Sequence, residues 1–407
     1  MAVNLPHPSN LLPVPGVRLG SAAAGIKYEG RDDIGVMIFD EGTTVAGVFT
    51  QSGFSAPPVL LCRERLGKSQ AIRGLVANSG NANAATGDRG MADADAMTRA
   101  LADSIGVDAG AVLPFSTGVI GEFLPVDLMV EPIQAAAASA TEDGWLDFAK
   151  AIMTTDTVPK AYSTQFEVGG RTVTATGCAK GSGMIRPDMA TMLAYIACDV
   201  SVSDEAARAL VKELADKSFN RITVDGDTST NDSFVVGFVR GYVPPSLADT
   251  ASIEYEQLRS GLLGVAELLA QSVVRDGEGA TKFVTVQVEG GRDEQECDTV
   301  CLTVAQSPLV KTAMFAGDPN WGRFCMAIGR AGLSDFEPAL VSLYLNDVVV
   351  SKNGMVAQDY CESRASGIMN LDEYAVRINL GRGEASGSLW TSDLSFEYVK
   401  INTEYRT

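Results

Sequence analysis

The sequence predicts a mixed α/β protein that ends in a smaller α+β domain, and two features of the chain support this prediction. Over residues 1–285, short apolar runs bounded by Gly and Ser alternate with longer Ala- and Leu-rich segments of helical periodicity. From about residue 286 onward, strand-like runs dominate. We therefore place a domain boundary there, which gives a first domain at residues 1–285 and a second at 286–407.

The N-terminal elements follow from local sequence signals. Prolines break residues 1–30 into irregular chain. Four apolar runs predict strands: GVMIF, TVAGVF, PVLLC and residues 75–78. Three segments predict helices: residues 93–105, VDLMVEPIQAAAASA and GWLDFAKAIMT. The first of these helices is expected to end at Gly106.

The middle of the chain predicts a hairpin, a buried strand and two helices. Residues 166–175 predict the hairpin, with a Gly-Gly pair at its turn. The apolar run at residues 192–200 predicts the buried strand. Ser203 is expected to cap one helix, and residues 255–274 are expected to form the other.

The C-terminal domain is predicted to consist mainly of strands. Four runs carry this prediction: VTVQVEG, VSLYLNDVVV, YAVRINLG and LSFEYVKI. One helix is expected to begin at Pro319, with Asp318 as its N-cap residue. No internal repeat or low-complexity linker is visible in the sequence.

The charge and composition restrict the classes of partner. The chain has 51 acidic and 32 basic residues, a formal net charge of −19. Because phosphate groups repel such a surface, we expect no nucleic-acid partner and no binding to anionic membranes. No signal peptide is expected, and no apolar run nears the ~18 residues of a spanning helix. The seven cysteines are scattered, which fits a cytoplasmic protein with reduced thiols.

His7 is the only histidine in the sequence, and it stands in a proline-flanked leader. Ser-His-Asp and Cys-His catalysis and most catalytic zinc sites therefore do not fit this chain. Metal binding is not expected at Cys297 and Cys301, which lack further ligands at suitable spacing. Three acids are interpreted as turn residues: Asp225, Asp227 and Asp232. An enzyme of this composition needs a carboxylate, a lysine or an amine as its base.

The glycine-rich stretch that begins at Gly177 leads into a pair of residues suited to self-activation. Lys180 lies among the glycines and could pair with a carboxylate, although the pattern is not a phosphate-binding loop and also fits a tight turn. The pair Ala190-Thr191 follows. If the chain were cut between them, Thr191 would carry an α-amine of pKa about 7.7–8.0 that can accept the proton of its own hydroxyl. Taken alone, the pair also fits a Thr at the start of a strand.

Eight motifs follow one another along nearly the whole chain: NSGNANAATG (78–87), STGVIGEFLP (116–125), IMTTDT (152–157), AKGSGMIRPDMATML (179–193), ITVDGDTSTND (222–232), DGEGATK (276–282), VKTAMFAGDPNWGR (310–323) and NTEYRT (402–407). Together they resemble the glutamate N-acetyltransferase family, also called ornithine acetyltransferases. The resemblance implies a self-cleaving, N-terminal-nucleophile-like amidase or acetyltransferase fold with layered sheets and helices. It also implies scission between Ala190 and Thr191 into chains 1–190 and 191–407, which assemble as a heterotetramer with two copies of each.

The resemblance further implies a reaction. Thr191 attacks the acetyl carbonyl of N-acetylornithine, ornithine leaves, and glutamate takes the acetyl group from the acetyl-threonine enzyme with ping-pong kinetics. No cofactor is implied, although acetyl-CoA is a second acetyl donor for some members of the family. Direct acetylation of glutamate from acetyl-CoA therefore stays open at this point.

The resemblance also assigns residues to roles. Thr117 and Gly118 would form the oxyanion hole, where fixed donors are worth about 2.7–4 kcal/mol each. Six residues would contact substrate: Thr154 (with Thr155 adjacent), Lys180, Thr191, Glu278, Asn402 and Thr407. We expect Lys180 to hold the substrate carboxylate and Glu278 the ammonium, although Glu278 also fits a loop acid after a helix. Removal of the last two residues should lower activity without unfolding the protein.

Three alternatives share parts of this sequence pattern. An N-terminal-nucleophile amidase or aminopeptidase would use water as the acceptor and release acetate without glutamate. A metabolite-binding protein that has lost catalysis would keep the bond between Ala190 and Thr191 intact. A related acetyltransferase would use a different amine acceptor.

Overall fold

A computed structural model describes residues 2–68, 71–186, 192–244, 247 and 249–404. Within these residues, sheets of four, five and seven strands and the helices around them form a mixed α/β architecture. The predicted fold class is confirmed as layered sheets and helices followed by a C-terminal α+β region.

The elements of the first two sheets and their helices follow one another in this order: β1 (Val17–Ala22), β2 (Ile34–Phe39), β3 (Thr44–Phe49), α1 (Pro57–Gly67), β4 (Gly74–Asn81), α2 (Gly87–Ile105), β5 (Val112–Val119), α3 (Val126–Ala138), α4 (Trp145–Ala151), β6 (Lys160–Val168), β7 (Arg171–Lys180), β8 (Leu193–Val200), α5 (Asp204–Lys217), β9 (Ile222–Thr223), β10 (Ser233–Tyr242) and α6 (Ile253–Arg275). The first sheet has the strand order β1-β2-β4-β5. The second has the order β3-β10-β8-β7-β6, so β8 and β10 lie between strands that precede them in the chain.

The two sheets pack face to face around one apolar core. Met37 and Phe115 project into this core from the first sheet, and Tyr195 and Val235 from the second. The rings of Phe115 and Tyr195 meet edge to face, with centroids 5.2 Å apart. Helices α2 and α3 cover the outer face of the first sheet, and α5 and α6 cover that of the second. The layers are therefore helix, sheet, sheet and helix.

The C-terminal elements build the third sheet: β11 (Phe283–Gly291), α7 (Glu294–Ala305), α8 (Pro308–Ala316), α9 (Trp321–Gly329), β12 (Ser342–Leu345), β13 (Val348–Lys352), β14 (Met355–Val356), α10 (Glu362–Met369), β15 (Glu373–Asn379), β16 (Ala385–Ser392) and α11 (Phe396–Glu404). Its strand order is β14-β13-β12-β15-β11-β16-β9. Strand β9 comes from the earlier part of the chain and pairs with β16, with Ile222 beside Trp390. The division of the chain at residue 286 stays a prediction.

Several local signals in the sequence are confirmed. Gly169 and Gly170 form the turn between β6 and β7, with φ values of 56° and 78°. Gly106 ends α2 in the left-handed conformation. The Ser203 side chain caps α5 by accepting a hydrogen bond from the amide of Ala206.

Two of the predicted strands are helices. PVLLC lies in α1, because Pro57 and Pro58 stand at the start of that helix, where their fixed φ suits helical backbone. LSFEYVKI lies largely in α11, a helix with no buried residues, so its apolar side chains do not mark a strand facing a core. Helices α7, α8 and α10 were not predicted.

The helix predicted to begin at Pro319 begins two residues later. The amides of Asn320 and Trp321 donate to the carbonyls of Asp318 and Pro319, so the chain is still in a tight turn there. Asn320, rather than Asp318, is the N-cap residue of α9.

Candidate active site

Thr117 and Gly118 lie at the carboxyl end of β5. This strand runs parallel to β4, and Gly118 comes opposite Gly80 near the last paired positions. Gly118 has a φ of +138°, and a Cβ atom there would lie 2.2 Å from the carbonyl carbon of Gly80. The close approach of the two strands therefore requires glycine at position 118.

The ends of three strands of the second sheet meet at the same place. Lys180 is the last residue of β7 and pairs with Leu193, the first residue of β8. Strand β10 runs parallel to β8, and the amide of Ser233 donates to the carbonyl of Met192 at 2.8 Å. Residues just before β8 and β10 are thereby brought beside Lys180.

A cavity of about 450 Å³ opens where these strand ends meet. It brings together six of the residues that the resemblance assigns: Thr117, Gly118, Thr154, Lys180, Glu278 and Asn402. Thr155, Met192 and Leu193 line it as well. The cavity therefore collects side chains from both sheets, from the loop before β6, from the loop after α6 and from α11.

Three of the predicted site residues, Ala190, Thr191 and Thr407, lie outside the described residues. Met192 directly follows Thr191 in the chain, and it is a lining residue of the cavity.

Direct contacts join the predicted site residues in pairs. The Nζ of Lys180 donates to Oγ1 of Thr117 at 3.1 Å. The Nδ2 of Asn402 donates to Oε2 of Glu278 at 2.7 Å, and the amide of Glu278 donates to the Ser182 carbonyl at 2.8 Å. Lys180 and Glu278 are both buried, and both line the cavity. The cavity therefore has one cationic and one anionic side chain, which come from different segments of the chain.

The charges around the cavity are tuned by burial. Burial lowers the pKa of the Lys180 ammonium and the nearby Lys160 lowers it further, while Asp156, Asp232 and Glu278 oppose the change. A lysine of lowered pKa still binds a carboxylate strongly when protonated, because water does not screen the pair.

Asp232 belongs to this site, although the sequence predicts only a turn acid at this position. It is buried and lines the cavity. Burial raises its pKa well above the ordinary value, against the lowering effects of hydrogen bonds from Ser229 and of the charge on Lys180. The neighbouring Asn231, also missed, donates from Nδ2 to the carbonyls of Ala82 and Ser116 and so ties the start of β10 to the first sheet.

A buried ion cluster beneath the cavity was also missed. Lys160 donates to Oδ1 of Asp156 at 2.6 Å and to Oδ2 of Asp276 at 2.7 Å. Asp156 and Asp276 do stand in two of the quoted motifs, IMTTDT and DGEGATK, but nothing in the sequence indicates that one lysine joins them.

Asp225 makes a local turn contact, since its carboxylate accepts from the amide of Asp227 at 3.2 Å, and it also makes distant contacts. Its carboxylate accepts from the amides of Met184 at 2.6 Å and Ile185 at 2.9 Å. The hydroxyl of Tyr398 donates to the same carboxylate at 3.3 Å. Tyr398 and Asn402 stand one turn apart on α11, so this helix contacts the loops around the cavity through a single face.

Comparison with known proteins identifies the family of the chain. The sequence model of the ArgJ family matches residues 18–407. The chain belongs to the ArgJ family.

Curated relatives of this ArgJ-family chain extend over its full length. An arginine biosynthesis bifunctional protein ArgJ from Pseudomonas fluorescens (strain Pf0-1) is 50% identical over 100% of both chains. A protein of the same name from Pseudomonas syringae pv. tomato is also 50% identical over 100% of both. A crystal structure of an arginine biosynthesis bifunctional protein from Bacillus halodurans covers 50% of this chain and 95% of its own, at 31% identity and a TM-score of 0.44.

Two further properties of the ArgJ-family chain concern its described residues alone. Among the described helices, none combines the length and apolarity needed to cross a bilayer. In the same ranges, no group of three or more His, Cys, Asp and Glu side chains is placed to hold a metal ion.

Proposed function

We propose that this protein transfers the acetyl group of N2-acetyl-L-ornithine to L-glutamate, as a step of arginine biosynthesis. The observation that carries the proposal is the gathering of Thr117, Gly118, Thr154, Lys180, Glu278 and Asn402 around one cavity in a chain of the ArgJ family. These residues come from motifs far apart in the sequence, and their meeting at one place is what an amino-acid acetyl-transfer site requires.

The nucleophile would be Thr191, freed by scission of its bond to Ala190. As Oγ of Thr191 attacks the acetyl carbonyl carbon, the free α-amine accepts the hydroxyl proton. The C–N bond of the tetrahedral intermediate then breaks, the α-amine returns the proton to the leaving nitrogen, and ornithine departs. The neutral amine of glutamate attacks the resulting ester, and Oγ regains its proton.

Thr117 and Gly118 would stabilise the charge that develops on the carbonyl oxygen. Gly118 has no Cβ atom, so a carbonyl oxygen can come close to its backbone amide. The strand pairing with β4 holds this part of the backbone in place. Donors fixed before the reaction need no reorganisation as the oxyanion forms.

Recognition of the amino-acid portion would rest on the two buried charges. Acetylornithine offers one carboxylate and one free ammonium, which match Lys180 and Glu278. With ping-pong kinetics, glutamate would enter the same cavity after ornithine leaves and would place a carboxylate on Lys180. A buried lysine at the substrate carboxylate would also let a protein of net negative charge bind acidic metabolites.

The proposal extends to the assembly and the setting of the enzyme. The two chains produced by scission, 1–190 and 191–407, would form a heterotetramer with two copies of each. The enzyme would work in the cytoplasm without a cofactor, and acetyl-CoA is the candidate for an alternative acetyl donor.

Two measurements test the proposed function. Denaturing mass analysis of the purified protein should give two chains that meet at Ala190 and Thr191, and Thr191→Ala should give one uncut chain. Acetyl transfer should then require both acetylornithine and glutamate. A parallel assay supplies acetyl-CoA instead of acetylornithine and measures whether glutamate is still acetylated. Release of acetate without glutamate would identify an amidase, and an uncut yet active protein would overturn the mechanism.

A further inference from the structure

Three chain segments that line the cavity are tied together beneath it by one lysine. The segments are the loop before β6 that carries Thr154, the end of β7 that carries Lys180, and the loop after α6 that carries Glu278. Lys160, the first residue of β6, lies opposite Ala179 in the strand pairing with β7. Its ammonium therefore lies next to the end of the strand that presents Lys180.

Asp156 connects Lys160 to the first two segments. Its Oδ1 accepts from Nζ of Lys160 at 2.6 Å and from the amide of Gly181 at 2.7 Å. Its Oδ2 accepts from the amide of Thr154 at 3.0 Å. One carboxylate thus fixes the backbone beside Lys180 and the backbone of Thr154 itself.

Asp276 connects Lys160 to the third segment. Its Oδ2 accepts from Nζ of Lys160 at 2.7 Å and from the amide of Thr157 at 2.9 Å, and its Oδ1 accepts from the Thr157 hydroxyl. Asp276 ends α6 and stands two residues before Glu278. Asp276, which is also bound to Lys160, therefore links the backbone that presents Glu278 to the loop that presents Thr154.

The cluster lies wholly out of solvent. The side chain of Lys160 is 0% exposed, and those of Asp156 and Asp276 are 0% and 1% exposed. Burial alone would lower the pKa of Lys160, but the two carboxylates raise it above the ordinary value, so the group stays an ammonium. Apolar side chains of the same volume often stabilise a fold at least as well as such ions, so stability alone does not account for them.

We infer that Lys160 is a positioning residue for acetyl transfer: it sets the spacing of Thr154, Lys180 and Glu278 through the carboxylates of Asp156 and Asp276. The inference rests on the proposed function, since these three residues are its substrate contacts. Lys160 is not among the residues that line the cavity, so it acts through its neighbours.

The experiment compares Lys160→Met with Lys311→Met in the full-length protein. Lys311 is the matched control, because it is also a fully buried lysine but donates to Oγ1 of Thr391 and to the Ser392 carbonyl, away from the cluster. Initial rates are measured over acetylornithine and glutamate concentrations, with active sites counted by the acetyl-enzyme burst. Thermal unfolding is recorded for each variant.

In Lys160→Met, the KM for both substrates should rise about tenfold or more, while kcat per active site changes less than about threefold, as expected when ground-state and transition-state contacts weaken together. Lys311→Met should keep both KM values. The double variant Lys160→Met/Asp276→Asn should show KM values no higher than Lys160→Met, because both changes break the link between residues 160 and 276, while the Asn side chain can still bond the amide and hydroxyl of Thr157.

Three results would overturn the inference. They are unchanged KM values in Lys160→Met, equal increases in Lys311→Met, and additive increases in the double variant. A wild-type protein that transfers no acetyl group would instead contradict the proposed function. If Lys160→Met does not fold, Asp276→Asn alone supplies the test, since it keeps the shape of the side chain and weakens the link to Lys160. Its KM values should then rise by severalfold, and unchanged values would count against the inference.

Discussion

The two walls of the cavity are built differently. The sheet wall consists of Thr117 and Gly118 on β5, which pairs with β4, and of Lys180 at the end of β7, which pairs with both β6 and β8. The outer wall consists of Glu278 and Asn402, which come from a loop and from α11, a helix with no buried residues. In the proposed mechanism, Thr117 and Gly118 of the sheet wall meet the reacting acetyl carbonyl, and Lys180 beside them binds the substrate carboxylate. The outer wall holds groups that bind the rest of the amino acid.

This contrast suggests a division of labour. A side chain or amide on a paired strand keeps its position within narrow limits, as charge stabilisation in a transition state requires. A contact made by a surface helix is easier to lose and to change without harm to the core. Changes at Thr117 and Gly118 should therefore act mainly on kcat, and changes in the outer wall mainly on KM and on substrate choice.

The largest effect is expected for Gly118→Ala in the sheet wall. The added methyl group would lie 2.2 Å from the Gly80 carbonyl carbon and 2.5 Å from the Asn81 nitrogen, so the strand end must shift. We expect kcat to fall by about 10²–10³-fold, the loss measured when one oxyanion donor is removed. Gly121→Ala is the control, because Gly121 also has a positive φ but has no atom within 4 Å of its Cβ position. Equal losses in both variants would show that backbone strain, not the oxyanion position, causes the effect.

Replacement of Lys180 by Met should lower kcat/KM for acetylornithine by about 10²-fold, the scale expected when one partner of a buried charge contact is removed. It should also change the pH profile. The protonated ammonium binds the carboxylate, so wild-type kcat/KM should fall as pH rises through the Lys180 pKa. Since burial lowers that pKa, the decline should come below the ordinary lysine value of about 10.4. A decline that persists unchanged in Lys180→Met would assign it to another group.

Glu278→Gln in the outer wall should affect selectivity more than the rate of chemistry. Loss of the carboxylate charge should lower kcat/KM for acetylornithine about tenfold, and much less for N2-acetylnorvaline, which lacks the side-chain ammonium. The two substrates are compared in parallel with the same enzyme preparation. Equal losses for both would contradict the pairing of Glu278 with the ammonium.

Asn402→Ala should have the smallest effect of the series. It removes one hydrogen bond to Oε2 of Glu278, and a typical bond of this kind is worth about 1 kcal/mol, or about fivefold in KM. Thr403→Ala is the control on the same helix, because the Thr403 hydroxyl bonds only the Lys400 carbonyl among the described contacts. A change in kcat without a change in KM would argue against the division between the two walls.

Much of the sheet wall could be predicted from the sequence, and less of the outer wall could. The runs that form much of β7 and β8 are continuous in the chain, so local signals predict them, whereas the roles of Thr117 and Gly118 come from the family resemblance. LSFEYVKI alternates apolar and polar residues closely enough to predict a strand, yet most of it lies in α11, from which Tyr398 and Asn402 contact distant loops.

The ion cluster shows why charge contacts resist prediction from one sequence. Lys160 and Asp276 are 116 residues apart, and their meeting depends on where α6 ends relative to β6. The sequence predicts Asp232 to be a turn acid, as it does for Asp225 and Asp227 in the same motif. Asp232 directly precedes β10, and the pairing of β10 with β8 buries it at the cavity. Asp225 lies in the preceding loop, where its carboxylate binds the amides of Met184 and Ile185.

The order of the second sheet bears on what a cut at Ala190 would do to the molecule. Strands β3, β6 and β7 would belong to one product, and β8 and β10, which sit between β3 and β7, would belong to the other. The two products would thus be hydrogen-bonded to each other at two places, between β3 and β10 and between β8 and β7. To separate the two products, the strand pairs within the second sheet would have to break. Cleavage would therefore cut the covalent chain but leave the two products joined until the sheet unfolds.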